Sequence, residues 1–112
     1  MMFRPSIQED FKAFMDFIPR SARSWTAVEE GIVYGVGGVY YDNGQTIAFT
    51  HYREDMPKRD RVRSGPYVLS IIRSIDGPVY AFPGNHTTAQ VTLRHFGFEP
   101  VLGADHWIWR GK

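Results

Sequence analysis

Apolar side chains at Ile7, Phe11, Phe14, Met15 and Ile18 recur at the i, i+4, i+7, i+8 and i+11 spacing of one helix face. Ser6 and Glu9 frame the start as an S-x-x-E capping box with Ser6 as N-cap, and Pro19 ends the helix. Phe3 and Arg4, just ahead, read as a short strand. The period then changes. "SWTAVEEGIVYGVGGVYYDNGQTIAFTHYRED" is rich in aromatic and β-branched residues. It is punctuated by Glu30-Gly31 and Asn43-Gly44, two tight-turn pairs. Three antiparallel strands are predicted over 24–29, 32–41 and 45–52. In the third, Ile47, Phe49 and His51 share one face, and Ala48, Thr50 and Tyr52 share the other.

A polar stretch follows, with Arg53, Lys58, Arg59, Arg61 and Arg63 against Glu54, Asp55 and Asp60. Tyr67, Val68, Ile71, Ile72 and Ile75 then return to helical spacing. Ser64 reads as the N-cap of this helix and Pro66 as a first-turn residue, and Asp76-Gly77-Pro78 as its end. Val79 to Phe82 is a short apolar run of the buried-strand type. Pro83-Gly84-Asn85 turns the chain into a helix over 86–96, with Ala89, Leu93 and Phe96 on one face and Gly97 as C-terminal cap. The segments 99–103 and 106–110 read as a closing pair of strands around Gly103-Ala104-Asp105. The predicted order is β–α–βββ–α–β–α–ββ in one domain over 1–112. It is an α+β fold with a mostly antiparallel mixed sheet flanked by helices.

A chain of 112 residues, 43% hydrophobic with eight Phe, six Tyr and three Trp, is long enough for one aromatic-rich core. Its formal charge of +1 argues against a protein whose main task is coating nucleic acid. The absence of cysteine excludes disulfides, thiolate nucleophiles and Cys-based metal sites, and favours a cytosolic setting. "MMFRPSIQED" lacks the apolar core of a signal peptide, and no run reaches membrane-spanning length. A cytoplasmic protein without membrane attachment is the expectation. His51, His86, His95 and His106 form no ligand spacing, so no metal site is expected. Gly35, Gly37 and Gly38 lie inside a strand pattern that precedes another strand, not a helix. They suit a bulge or a close approach of backbone better than a dinucleotide loop. Of Trp107 and Trp109, one is expected in the core, and the pair could also serve a partner surface.

The element order, with two local signals, resembles the GNAT superfamily of acetyl-CoA-dependent N-acyltransferases. "SWTAVEEGIVYGVGGVYYDNG" resembles the family's central meander, where a strand ends in Glu-Gly and the next carries an I-x-G-x-G-G pattern. "NHTTAQVTLRHFGFEPV" resembles the family's last helix, which starts near an Asn and ends in Gly-Phe. The chain is shorter than most members and resembles most the small GNAT-like proteins of tailed phages and prophages, some of them virion components. The resemblance implies that the third meander strand, with Thr50 and His51, splays from the strand after the next helix. The pantetheine arm of acetyl-CoA lies between them, and its pyrophosphate rests on the N-terminus of the intervening helix, a natural anion site. The best register of the family's Gln/Arg-x-x-Gly-x-Gly/Ala loop is Arg61-x-x-Ser64-x-Pro66, where Ser and Pro replace small residues.

On this reading Arg59, Arg61, Arg63, Ser64, Gly65 and Asn85 join Thr50 and His51 as cofactor-binding candidates. His51 or Glu54 is the candidate base, with Asp55 an alternative, since an amine nucleophile must lose a proton. The family's usual leaving-thiolate acid, a Tyr, is replaced by Leu93, so Tyr80 or Tyr67 would have to serve. Bland readings stand beside these: a solvated basic loop, surface carboxylates, and a histidine satisfied in a sheet. Two functions lead, and a third, a small nucleic-acid-binding domain using the 53–63 run, ranks below them because of the near-neutral charge balance and the aromatics buried in the strand pattern. Of the leading two, one is an acetyl-CoA-dependent N-acetyltransferase that acts by direct attack of a small-molecule or protein amine. The other is a non-catalytic GNAT-like phage protein, a virion component or a modulator of a host protein, placed in the host cytoplasm or the virion. Either allows a homodimer or another protein partner.

Overall fold

A computed structural model describes residues 1–19, 21–84 and 87–111. The elements are β1 (Met2–Pro5), α1 (Gln8–Phe11), β2 (Arg23–Glu29), β3 (Ile32–Asp42), β4 (Gln45–Tyr52), α2 (Lys58–Arg73), β5 (Val79–Ala81), α3 (Thr87–His95), β6 (Glu99–Pro100) and β7 (Trp107–Trp109). The seven strands form one mixed sheet in the order β1-β2-β3-β4-β5-β7-β6. Among the described residues only β4 and β5 run parallel. With three helices, this is a compact α+β domain: its Cα radius of gyration is 13.5 Å, against about 13 Å for a folded chain of this length.

The meander strands follow the sequence closely because their turns are locally encoded. Glu30 and Gly31 take φ of 51° and 78°, and Asn43 and Gly44 take 48° and 76°. Two successive left-handed residues make the type I′ turn that matches strand twist. Pairing then runs without slip from Asp42 opposite Gln45 to Gly35 opposite Tyr52.

The two faces of the sheet are covered differently. On one, Trp25, Ala27 and Val39 pack with Val68 and Ile72 of α2, Val79 and Ala81 of β5, Phe98, and both Trp107 and Trp109. Both tryptophans are therefore core residues, since positions two apart on a strand share a face. Leu93 and Phe96 bring α3 to the same side. Gly37 makes room for Trp25: a Cβ there would lie 2.9 Å from the indole Cζ2. Gly97, at φ 95°, ends α3. Its N–H bonds to the Arg94 carbonyl at 3.0 Å, and that of Phe98 to the Leu93 carbonyl at 2.9 Å, the paired bonds of a Schellman cap.

The other face carries α1, which is much shorter than predicted. Ile7 is its N-cap, and Ser6 is not. Asp10, one position past the expected Glu9, accepts the Ile7 N–H at 2.8 Å. It also accepts the Thr26 hydroxyl at 2.7 Å and two Arg4 bonds at 2.8 and 3.0 Å. Ser6 turns to Thr26 at 2.8 Å. Burial pushes the Asp10 carboxyl up, but these donors outweigh it and hold it below the usual carboxylate range. Beyond Phe11 the chain leaves the helix. Phe14 stacks on His51, and Phe17 meets Tyr40 edge-on at 5.7 Å. Aromatic contacts to the sheet displace the helical continuation that the apolar spacing alone favoured.

Candidate functional site

The helix after β4 begins two turns earlier than the sequence suggested. Pro57, extended at φ −58° and ψ 140°, is its N-cap, and Lys58 its first residue. The N–H groups of Asp60 and Arg61 both bond to the Pro57 carbonyl, at 3.0 and 3.1 Å. Asp60 lies in the first turn, where a negative charge complements the helix dipole. Ser64 is therefore no N-cap. It is fully buried in the helix interior, where its hydroxyl donates to the Arg61 carbonyl at 2.6 Å and accepts from Tyr52 at 2.9 Å. Gly65 faces Phe96, just past the end of α3, whose ring would lie 3.7 Å from a Cβ at that position. Pro66 is an internal helix residue. The buried positions Asp60, Ser64, Val68 and Ile72 form an i+4 stripe against the sheet. Its first two members are polar, so hydrophobic spacing could not reveal it.

The segment that precedes this helix is Arg53-Glu54-Asp55-Met56-Pro57. Met56 is buried at 2% exposure and pins the turn to the core. Glu54 and Asp55 are exposed, and Asp55 pairs with Arg53 at 2.9 Å. A pyrophosphate needs free N–H groups and a close approach of backbone. Here the N-cap residue is a proline without an N–H, no glycine is present, and two carboxylates stand just ahead. These residues do not fit the diphosphate of acetyl-CoA.

The adjoining sheet edge has a different character. Asp42 and Gln45 close a two-residue hairpin, so they exchange backbone bonds. The same then holds for Tyr40 with Ile47, Gly38 with Phe49 and Val36 with His51. The bond from Arg53 N–H to the Tyr34 carbonyl, 2.8 Å, continues the alternation. The N–H groups of Thr50 and Tyr52 thus point away from β3, toward the β5 side. On that side β4 pairs with β5 only at Ile47 opposite Tyr80. Among the described residues, no strand covers β4 beyond that bridge.

The candidate residues are spread around this edge. The Thr50 side chain is exposed on the α2 face, beside Gly37. His51 lies on the α1 face between Phe14 and Phe49, with ring centroids at 6.4 and 6.0 Å. Burial lowers its pKa, which favours the neutral imidazole. Tyr80 is on β5 at the bridge, with its ring 5.6 Å from that of His106. That places it beside Ile47, two same-face positions along β4 from His51. Glu54 is in the turn past β4. Arg61 is near enough to Tyr52 for its charge to favour the phenolate, against the larger effect of burial, which raises the Tyr52 pKa. Arg59 and Arg63 are exposed on α2, and Arg63 lies 3.9 Å from Asp60. Tyr67 stacks on Phe3 of β1 at 4.7 Å, on the far side of α2 from β5. Leu93 packs against the core. Asn85 lies outside the described residues.

Tyr52 and Ser64 are the polar pair that sequence reasoning missed; an exchange of hydroxyls between a strand and a helix interior leaves no mark on periodicity. Two hollows lie away from the β4 edge. One of about 470 Å³ is lined by Ile7, Phe11, Pro19, Arg23 and Ile71 among others, and one of about 280 Å³ lies at the end of α2. Among the described residues, no helix is long and apolar enough to cross a membrane. No protein-family model matches the chain, and no curated protein matches it either.

Proposed function

We propose that the chain is a GNAT-like protein that keeps the fold for binding and performs no acetyl transfer, as a virion component or a modulator of a host protein would. One observation carries this reading: α2 starts at Lys58 after a glycine-free turn that ends in Pro57. That turn offers no glycine for a close approach of backbone, and the residues expected to cradle a diphosphate, Ser64 and Gly65, serve helix packing instead. Leu93, in place of a proton donor, agrees. The test is thermal unfolding with acetyl-CoA up to millimolar concentration, alongside an assay for free thiol with mixed amines. No shift and no thiol are expected. A ligand at 100 times its Kd would stabilise by about 2.7 kcal/mol, and a shift of that order would overturn the reading.

A second reading is an acetyl-CoA-dependent N-acetyltransferase acting on a small-molecule or protein amine. The observation in its favour is the free β4 edge, with the Thr50 and Tyr52 N–H groups turned toward the β5 side. It predicts thiol release that depends on the amine and falls in His51→Ala or Glu54→Gln.

A further inference from the structure

We propose that the outer face of α2 binds the phosphodiester backbone of nucleic acid without reading its sequence. The near-zero charge of the whole chain conceals a separation. α2 holds Lys58, Arg59, Arg61, Arg63 and Arg73 with Asp60 as its one acid, a net of +4. The chain totals +1, so the remainder carries −3. At a Debye length of about 8 Å, a partner senses the face it meets, not the total.

Three of these cations, Arg59, Arg63 and Arg73, lie along one face. Arg59, Val62, Arg63, Pro66, Ser70 and Arg73 are all exposed and recur every three or four residues, which is one side of a helix. Asp60 is buried at the flank of the stripe, 3.9 Å from Arg63, and α2 holds no other carboxylate. From Arg59 to Arg73 it spans about 21 Å at the rise of an α-helix. Its far end opens into the hollow of about 280 Å³, lined by Arg73, Ile75, Asp76, Gly77, Arg110 and Gly111. Arg110 therefore neighbours Arg73 past the end of the helix, with Asp76 on the same hollow. Among the described residues, Arg59, Arg73 and Arg110 have no carboxylate within ion-pair distance. Guanidinium forks match phosphate oxygens in bidentate geometry.

The side chains between the arginines decide the class of partner. Val62, 67% exposed, and Pro66 are short and leave the stripe flat. A protein interface centres on an aromatic anchor in a pocket, which this stripe does not offer. A polyanion needs none. At about 3.4 Å of axis per phosphate on one strand, the stripe faces about six phosphates.

The experiment is fluorescence anisotropy of a labelled 20-base-pair duplex with the full chain at 50 and 200 mM salt. Four arginine–phosphate contacts predict a log–log salt slope of about −3.6, an affinity loss of about 150-fold over that range. Arg59→Ala, Arg63→Ala and Arg110→Ala should each weaken binding and reduce the slope by about 0.9. Lys12→Ala, on the opposite face, should change neither. All these side chains are exposed, and circular dichroism verifies that the variants fold. Absence of binding at 50 mM salt overturns the proposal, as does binding that the arginine variants leave unaltered. Polyglutamate that competes as well as unlabelled duplex at equal charge also overturns it, in favour of an acidic protein partner.

Discussion

Asp10→Ala should be the most damaging single change on the α1 face. The carboxylate is 2% exposed and accepts four bonds, from the Arg4 guanidinium, the Ile7 N–H and the Thr26 hydroxyl. Its removal leaves the first N–H of α1 without its cap, a loss of about 1 kcal/mol. It also strands Arg4; breaking a buried ion pair costs about 3–5 kcal/mol. The Arg4 side chain is 30% exposed and regains water, which favours the low end. Thr26 keeps its bond to Ser6. The sum is about 4 kcal/mol, or about 16 °C in Tm at about 4 °C per kcal/mol for a domain of this size. Thermal unfolding followed by circular dichroism measures it. The pH dependence supplies a second readout. The folded-state pKa of Asp10 lies below its unfolded value of about 3.9. Its contribution is therefore fully present above that value and is lost as pH falls through the folded pKa. The variant should lose part of the acid limb of the Tm-against-pH curve. A loss under 1 kcal/mol with the acid limb intact would refute the role assigned to this carboxylate.

Two further changes probe the α2 face. Gly37→Ala should cost about 1–3 kcal/mol by overpacking, because its Cβ would meet the Trp25 indole at 2.9 Å and the Thr50 methyl at 3.2 Å; denaturant unfolding measures this, and a neutral result would mean that Trp25 moves freely. Ser64→Ala should cost about 1–2 kcal/mol because it deprives the Tyr52 hydroxyl of its acceptor, whereas exposed Ser70→Ala should stay within about 0.5 kcal/mol; equal effects would place Ser64 outside the core.

The meander was legible because its information is local. Two left-handed turn pairs and alternating side chains specify three strands to within a residue or so of their ends. The Gly97 cap was legible for the same reason. The starts of both α1 and α2 were not. In α1 the capping acceptor is Asp10 rather than a serine, chosen because Thr26 and Arg4 from neighbouring strands converge on it. In α2 the first two turns bury Asp60 and Ser64, which hydrophobic spacing counts as surface. That same misreading placed the candidate phosphate turn at Ser64-Gly65-Pro66, inside a helix. The free β4 edge depends on how far β5 extends alongside, a tertiary property. The basic run over 53–63 was legible, but its arrangement was not: the charge of the whole chain averages α2 with its acidic surroundings, and Arg73 and Arg110 lie far from that run in sequence.

Isothermal titration of acetyl-CoA into the full chain, carried to millimolar ligand, tests most directly whether the turn from Arg53 to Lys58 holds a diphosphate. No saturable heat is predicted, and none in Arg61→Ala. A saturable isotherm with one site per chain, weakened in Arg61→Ala, would contradict the account and restore the acetyltransferase reading.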